Sequence, residues 1–212
     1  MRRRHGLITL AALALPAWAD DAKDYWTAIT YDQDWHLARL VARTGLDPNT
    51  PSADGEPPLV GALRQDADKV AAWLIANPRV DVEARNAAGE TPLMLAAIRT
   101  KLPLLKQLLA RGAKVNQDGW TALHYACSQI ELAPAQILLD AGADANARSP
   151  NGTTPLMMAA RYGGLDQLTL LLARGANPRL RNARGLSVAD FARDAGRMDD
   201  IVERLAKLAG PA

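Results

Sequence analysis

The sequence predicts an all-α solenoid, a stack of helix-turn-helix units. Three observations predict it. The stretch GETPLMLAA (Gly89–Ala97) returns as GTTPLMMAA at Gly152–Ala160. Aligned on one glycine, Gly55, Gly89, Gly119, Gly152 and Gly185 fall 34, 30, 33 and 33 residues apart, and EPPLVGAL, ETPLMLAA, WTALHYAC, TTPLMMAA and LSVADFAR follow them. The blocks leave through similar exits, LLARGAKVN, LLDAGADAN and LLARGANPR, with a looser LIANPRVDV in the first. Aromatic content of 5% and abundant Ala and Leu favour close helix packing over a β sandwich.

The elements follow in chain order. Residues 1–19 read as a secretory signal. Met1-Arg-Arg-Arg-His is a positive n-region, Leu7–Leu15 is an apolar run, and Ala17-Trp18-Ala19 is a small-x-small cleavage site. The run is far short of the roughly 20 residues a membrane helix needs. Residues 20–52 read as a degenerate N-terminal capping repeat. Its recognisable part is a back half, Trp35–Thr44, closed by Gly45, with Leu37, Leu40 and Val41 on one face. Four units follow at about 53–85, 86–115, 116–148 and 149–181. Residues 182–212 form a C-terminal cap, with Ile201, Val202, Leu205 and Leu208 as its apolar stripe. Polar outer faces at both ends are what a finite stack needs for solubility.

Within a unit the chemistry is local. Thr91 and Thr154 suit the N-cap, where a side-chain oxygen accepts from an unpaired backbone N–H. Pro92 and Pro155 suit the first helical position, where a missing N–H costs nothing. Ala96-Ala97 and Ala159-Ala160 let a neighbouring helix come close. Leu104-Leu105 and Leu108-Leu109 stripe the second helix at i, i+4. Gly112, Gly142 and Gly175 sit where that helix must end in a left-handed cap. One pair of about 20 residues buries too little alone, so neighbours must supply the rest of the core.

These residues resemble the ankyrin repeat, whose hallmark is G-x-T-P-L-H-x-A-A followed by a second helix and G-A-D-x-N. The resemblance covers nearly the whole chain after the signal. It implies short β-hairpin fingers between units and a concave face that binds proteins. The chain departs from the pattern in places. The motif His survives only as His124, with Met94, Met157 and Val60 elsewhere, so apolar packing is expected to replace its loop ties. The short step into the third unit predicts a stunted finger. The Gly between paired helices is present only as Gly163, with Thr100 and Ile130 at the other equivalents. Asn77-Pro78 ends the first unit without its Gly, which predicts an irregular turn.

Other function classes find little support. The whole chain carries 25 Lys and Arg against 23 Asp and Glu. The signal removes three Arg and no acid, so 22 basic and 23 acidic residues remain and no nucleic-acid footprint survives. The one cysteine, Cys127, lies in an apolar helix pattern and reads as a small buried hydrophobe. His124 and Cys127 do not make a zinc site. Asp32-x-Asp34 lacks the Gly and Glu of a calcium loop. No nucleophile–base pair can be nominated. We therefore expect no catalysis, metal or cofactor, and no membrane attachment after signal removal.

Carried over by register, the family's recognition positions give Glu90, Arg99, Asp118, Trp120, Gln129, Asn151, Arg161, Tyr162 and Arg184 as partner-binding candidates. Trp120, beside the short finger, reads either as an interface anchor or as a cover folded back over the gap. The expectation is a monomeric, non-catalytic binding module of the periplasm whose partner is a protein, a co-exported enzyme being one fit. A secreted effector that binds a host protein is the alternative, and an enzyme site hidden in the repeats is a weaker one.

Overall fold

The computed structural model describes residues 17–209. Among them are twelve α-helices and no strand: α1 (Ala17–Thr30), α2 (Asp34–Thr44), α3 (Pro58–Arg64), α4 (Asp68–Ala76), α5 (Pro92–Ile98), α6 (Leu102–Ala110), α7 (Ala122–Ala126), α8 (Leu132–Asp140), α9 (Pro155–Tyr162), α10 (Leu165–Ala173), α11 (Val188–Asp194) and α12 (Asp199–Ala209). Each odd helix packs on the even helix that follows it. The odd helices pack on one another in chain order, and the even helices α2, α4, α6, α8 and α10 form a second layer behind them. This is the serial stacking of helix pairs that the repeat spacing predicts.

The core is one continuous cluster along the stack. Seven residues after each aligned glycine stands an alanine: Ala62, Ala96, Ala126, Ala159 and Ala192. All five are fully buried. Their small size lets successive odd helices approach closely, and a larger side chain there would push units apart.

Local chemistry sets the helix ends. Thr91 Oγ1 accepts from Met94 N–H at 3.3 Å and Thr154 Oγ1 from Met157 N–H at 3.4 Å. Pro92 and Pro155 take the first helical positions. Gly112, Gly142 and Gly175 have φ of 84°, 87° and 83°. The next residue closes each turn: the N–H groups of Ala113, Ala143 and Ala176 donate to Leu108, Leu138 and Leu171 at 3.0, 2.9 and 2.9 Å. A side chain with Cβ pays a penalty in that left-handed region, hence the glycines.

The N-terminal unit is fuller than its back half suggested. Helix α1 supplies a front helix with Tyr25, Ala28 and Ile29 buried. Tyr25 donates to the Pro48 carbonyl at 2.7 Å and Trp26 Nε1 to the Thr50 carbonyl at 3.2 Å, so α1 is pinned to the loop ahead of the first finger. Gly61 leaves room for the Trp26 ring, because a Cβ there would lie 2.7 Å from it. The n-region and the apolar run of the expected signal lie outside the described residues. The expected cleavage point after Ala19 falls in the first turn of α1. In α12, Ile201, Val202 and Leu205 are buried, but Leu208 is exposed, so the stripe is covered only in part among the described residues.

The expected β-hairpin fingers are turns instead. In four of them one backbone bond spans the tip: Ser52, Asn86, Ser149 and Asn182 N–H donate to Glu56, Glu90, Thr153 and Leu186 at 3.0, 3.2, 3.0 and 3.0 Å. One such bond per finger is too few for a ladder. Finger-to-finger support comes from Ala183 N–H on Asn151 O at 2.9 Å, whereas Pro150, at the matching place one unit earlier, has no N–H to give. The third finger is stunted as expected. It lacks the spanning backbone bond, and Gln117 Nε2 donates to Trp120 O at 2.6 Å in its place.

The turns between paired helices divide into two kinds. Four contain a left-handed residue: Asp32 (φ 51°), Asp66 (φ 58°), Thr100 (φ 55°) and Gly196 (φ 66°). The residue after each donates back to a carbonyl of the first helix, as Lys101 N–H does to Ala96 O at 2.9 Å. Gly163, at the place of the family's usual glycine between paired helices, is extended instead, at φ −81° and ψ −178°. It is needed for space, since a methyl there would overlap Gln167 Oε1. The turns at Ile130 and Gly163 therefore leave carbonyls without the usual partner, and the following unit supplies one. Gln167 Nε2 donates to Ala126 O at 3.1 Å and Glu131 O at 3.0 Å. Arg197 Nε donates to Ala160 O at 3.1 Å, and its Nη2 to Gly163 O. The irregular exit at Asn77-Pro78 is served likewise: Arg111 donates to the carbonyls of Ile75 and Asn77, and to Val80 O at 3.4 Å.

Candidate binding groove

The register that builds the core also builds a face. Six residues after the aligned glycines stand Gly61, Leu95, Tyr125, Met158 and Phe191, and nine residues after stand Arg64, Ile98, Ser128, Arg161 and Asp194. Helical spacing puts both columns on one side of the odd helices, beside the fingers.

Ahead of α3 a hollow of about 800 Å3, lined in part by Trp26, Thr27 and Tyr31, opens between α1 and the first finger, but from α3 to α5 the face is laced by its own side chains. Arg64 pairs with Glu56 at 3.0 Å and with Glu90 at 3.7 Å. Glu90 also accepts from Asn86 Nδ2 at 2.7 Å and from Tyr125 OH at 3.1 Å. Burial, with Glu90 beside it, pushes the Tyr125 hydroxyl up to about 12. Arg99 is held by Asp66 at 2.9 Å, and Lys101 spans Asp66 and Asp68 at 3.0 Å each.

The C-terminal half is open. A groove of about 650 Å3 runs between the last two fingers and helices α9 and α11. Its apolar lining is Trp120, Met158, Tyr162, Leu186 and Phe191. A smaller apolar hollow of about 210 Å3, lined in part by Ile98 and Tyr125, continues it across Trp120 and Met158. Arg161 pairs with Asp194 at 2.6 Å and stacks over the Tyr162 ring at 5.4 Å. Arg193 pairs with Asp190 at 2.8 Å. Arg184 has no carboxylate within ion-pair distance among the described residues.

Five of the nine candidates meet here: Trp120, Asn151, Arg161, Tyr162 and Arg184. Glu90 and Arg99 are engaged in the laced stretch. Asp118 lines a separate notch of about 260 Å3 at the stunted finger. Gln129 lies half-buried in the turn after α7. Met158 and Phe191 were not nominated, although their place six residues after the glycine marks them.

Trp120 folds back on its neighbour and still faces the groove. Its ring packs edge-on against His124, with centroids 5.2 Å apart, and it lines the groove with its remaining surface. His124 is fully buried. Thr121 N–H donates to its Nδ1 at 3.2 Å, so the Nε2 proton goes to Thr153 O at 3.0 Å in the next finger. Burial holds this imidazole below the usual histidine range. Where Met94 replaces the histidine, its sulfur accepts from Thr91 N–H at 3.4 Å, so the cap survives and the tie to the next finger is lost.

The geometry offers little for bond-breaking chemistry. Cys127 is fully buried, and burial pushes its thiol far up, away from the thiolate a nucleophile needs. Among the described residues no three His, Cys, Asp or Glu side chains gather to hold a metal, and no helix is long and apolar enough to cross a membrane.

Comparison with known proteins agrees with this architecture. The family described as "Ankyrin repeats (3 copies)" matches residues 25–118, 62–149 and 100–182. The chain is 34% identical over 125 residues to Neurogenic locus notch homolog protein 1 of Xenopus tropicalis, covering 58% of this chain and 5% of that protein. It is 34% identical over 115 residues to Ankyrin repeat and SAM domain-containing protein 6 of Rattus norvegicus (52% and 13%), and 37% identical over 78 residues to human 2-5A-dependent ribonuclease (34% and 10%). The chain thus spans only a small part of these relatives. Ankyrin repeats are in general protein–protein interaction modules, and the fold is typically non-catalytic. With helix pairs stacked in register and the family pattern matched from residue 25 to residue 182, the chain belongs to the ankyrin-repeat family.

Proposed function

We propose that this chain is an exported, non-catalytic binding module of the periplasm, and that it grips a partner protein through the groove centred on Trp120, Met158, Tyr162 and Phe191. A co-exported enzyme is the class of partner the reading favours. The open groove carries the proposal. It gathers aromatic and apolar surface that internal pairing does not consume, at positions the repeat register marks for recognition, and such surface concentrates binding energy. The Arg-rich start, the apolar run and Ala17-Trp18-Ala19 support export.

Two measurements test it separately. Fractionation of cells that make the full chain should place a shortened protein, starting near Asp20, in the periplasm. Recovery of an uncut protein in the cytosol would overturn the location, and recovery in the medium would favour a secreted effector. Affinity capture from a periplasmic extract should give a partner that is lost with Trp120→Ala/Tyr162→Ala. A partner that the variant retains would overturn the groove.

A further inference from the structure

Charge is unevenly spread along the stack. Residues 20–68 hold ten Asp and Glu against four Lys and Arg, whereas residues 145–189 hold six Arg and a single acid, Asp166. Four of those arginines, Arg148, Arg179, Arg181 and Arg184, belong to the last two fingers and the loops that lead into them. Among the described residues none of the four has a carboxylate within ion-pair distance. The two acids of the groove do not serve them, because Asp190 is held by Arg193 and Asp194 by Arg161.

The fingers also hold some of these guanidiniums in place. Arg148 Nη2 donates to Arg181 O at 2.8 Å, and Arg181 Nη1 donates to Gly185 O at 3.0 Å. Each guanidinium has five N–H donors, so both keep several free. The two fingers abut, since a Cβ on Gly152 would lie 3.0 Å from Arg148 Nη2 and 3.1 Å from Ala183 N. Arg184 lines the groove itself. Arg184 thus brings unpaired positive charge to the aromatic trough, and the other three stand on the same two fingers and their lead-in loops.

We propose that this site takes an acidic segment of the partner protein. An apolar side chain of the segment sits among Trp120, Met158 and Phe191, and its flanking carboxylates pair with the finger arginines. Guanidinium forks match carboxylates in a bidentate way that lysines do not. Charge complementarity selects this occupant over a basic or neutral segment. The inference rests on the groove reading above and adds the chemistry of what enters.

The test is selection of a random twelve-residue displayed peptide library on the full chain. Selected peptides are then measured by fluorescence anisotropy against the parent, Arg179→Ala/Arg184→Ala and Tyr162→Ala. Neither Arg179 nor Arg184 makes a side-chain hydrogen bond in the structure, and Tyr162 is half exposed, so these variants should fold. The expected peptides carry Asp or Glu around an aliphatic or aromatic residue. Their affinity should fall on the order of tenfold in the double variant and on the order of tenfold from 50 to 500 mM salt. Peptides that need Tyr162 but show no acidic bias, and ignore the arginine changes, would overturn this inference and leave the groove standing. Acidic peptides indifferent to Tyr162 would overturn the joint site. So would a single-stranded oligonucleotide that binds as tightly as the selected peptides, or concentration-dependent self-association abolished by the double variant.

Discussion

The turns of the first three helix pairs and those of the fourth and fifth solve one problem in different ways. At Asp32, Asp66 and Thr100 the chain turns left-handed and satisfies its own carbonyls within a few residues. At Ile130 and Gly163 it does not, and side chains from the next unit, Gln167 and Arg197, complete the hydrogen bonding. Ile130 is β-branched, which penalises positive φ. Gly163 could turn left-handed but is taken up by its contact with Gln167. The first solution is local and makes a unit self-sufficient. The second converts a backbone need into coupling between units, which is the quantity that sets cooperativity in a stacked array.

The sharpest way to break this contrast is Gln167→Leu. Leucine fills the volume, as Leu104 does at the matching place, but removes both side-chain donations, leaving the Ala126 carbonyl only its long bond from Gln129 N–H at 3.3 Å. The expected loss is roughly 2–4 kcal/mol, or a melting temperature lower by roughly 10 °C, read by thermal circular dichroism. Adding Ile130→Gly, which permits a left-handed turn, should restore much of that loss. A double variant no more stable than Gln167→Leu would show that turn conformation is not what Gln167 replaces. Arg197→Ala should cost about 1–2 kcal/mol, since its side chain is only half-buried where that of Gln167 is buried, and should speed amide exchange in α9 and α10 as well as in α12. Exchange confined to α12 would deny the coupling.

A smaller effect concerns the histidine tie. His124→Met copies the neighbouring units and should cost about 1 kcal/mol near pH 8 by loss of the bond to Thr153. The folded imidazole titrates below its ordinary 6.5, so the unfolded chain binds more protons as the pH falls through that value. The stability contributed by the neutral imidazole is present above 6.5 and is lost below it. The gap between parent and variant should therefore narrow from pH 7 to pH 5, and a gap that widens would contradict the assignment. The smallest effect is a gain. Thr100 holds φ 55° with a branched side chain, so Thr100→Gly should stabilise by about 0.5–1 kcal/mol. A loss would mean that the Thr100 side chain itself supports the turn.

The contrast also marks what a sequence can carry. The N-cap threonines, the following prolines and the exit glycines were legible because each acts within a few residues of itself. The groove was legible in part for the same reason. Trp120, Asn151, Arg161, Tyr162 and Arg184 follow from counting along the repeat. Glu90 stood at an equally good position, yet Arg64 and Tyr125 consume it, and Tyr125 lies 35 residues away. Gln167, Arg197 and Arg111 reach across 31 to 41 residues to bare carbonyls, which have no side-chain signature. The fit of Trp26 over Gly61 is illegible for that reason too, and with it the role of α1. The fingers were expected as hairpins because the family pattern implies them, and only the backbone bonds reveal that they stop at turns.

In all three repairs the donor lies downstream of the carbonyls it serves. A chain is synthesised from its N-terminus, so the order of manufacture matters. The first turns can close as soon as they emerge. The end of α4 waits for Arg111, the α7–α8 turn waits for Gln167, and the α9–α10 turn waits for Arg197, some thirty-four residues after the turn itself. A ribosome stalled before codon 197 would hold a nascent protein whose fifth turn has no means of completion, however long it lingered.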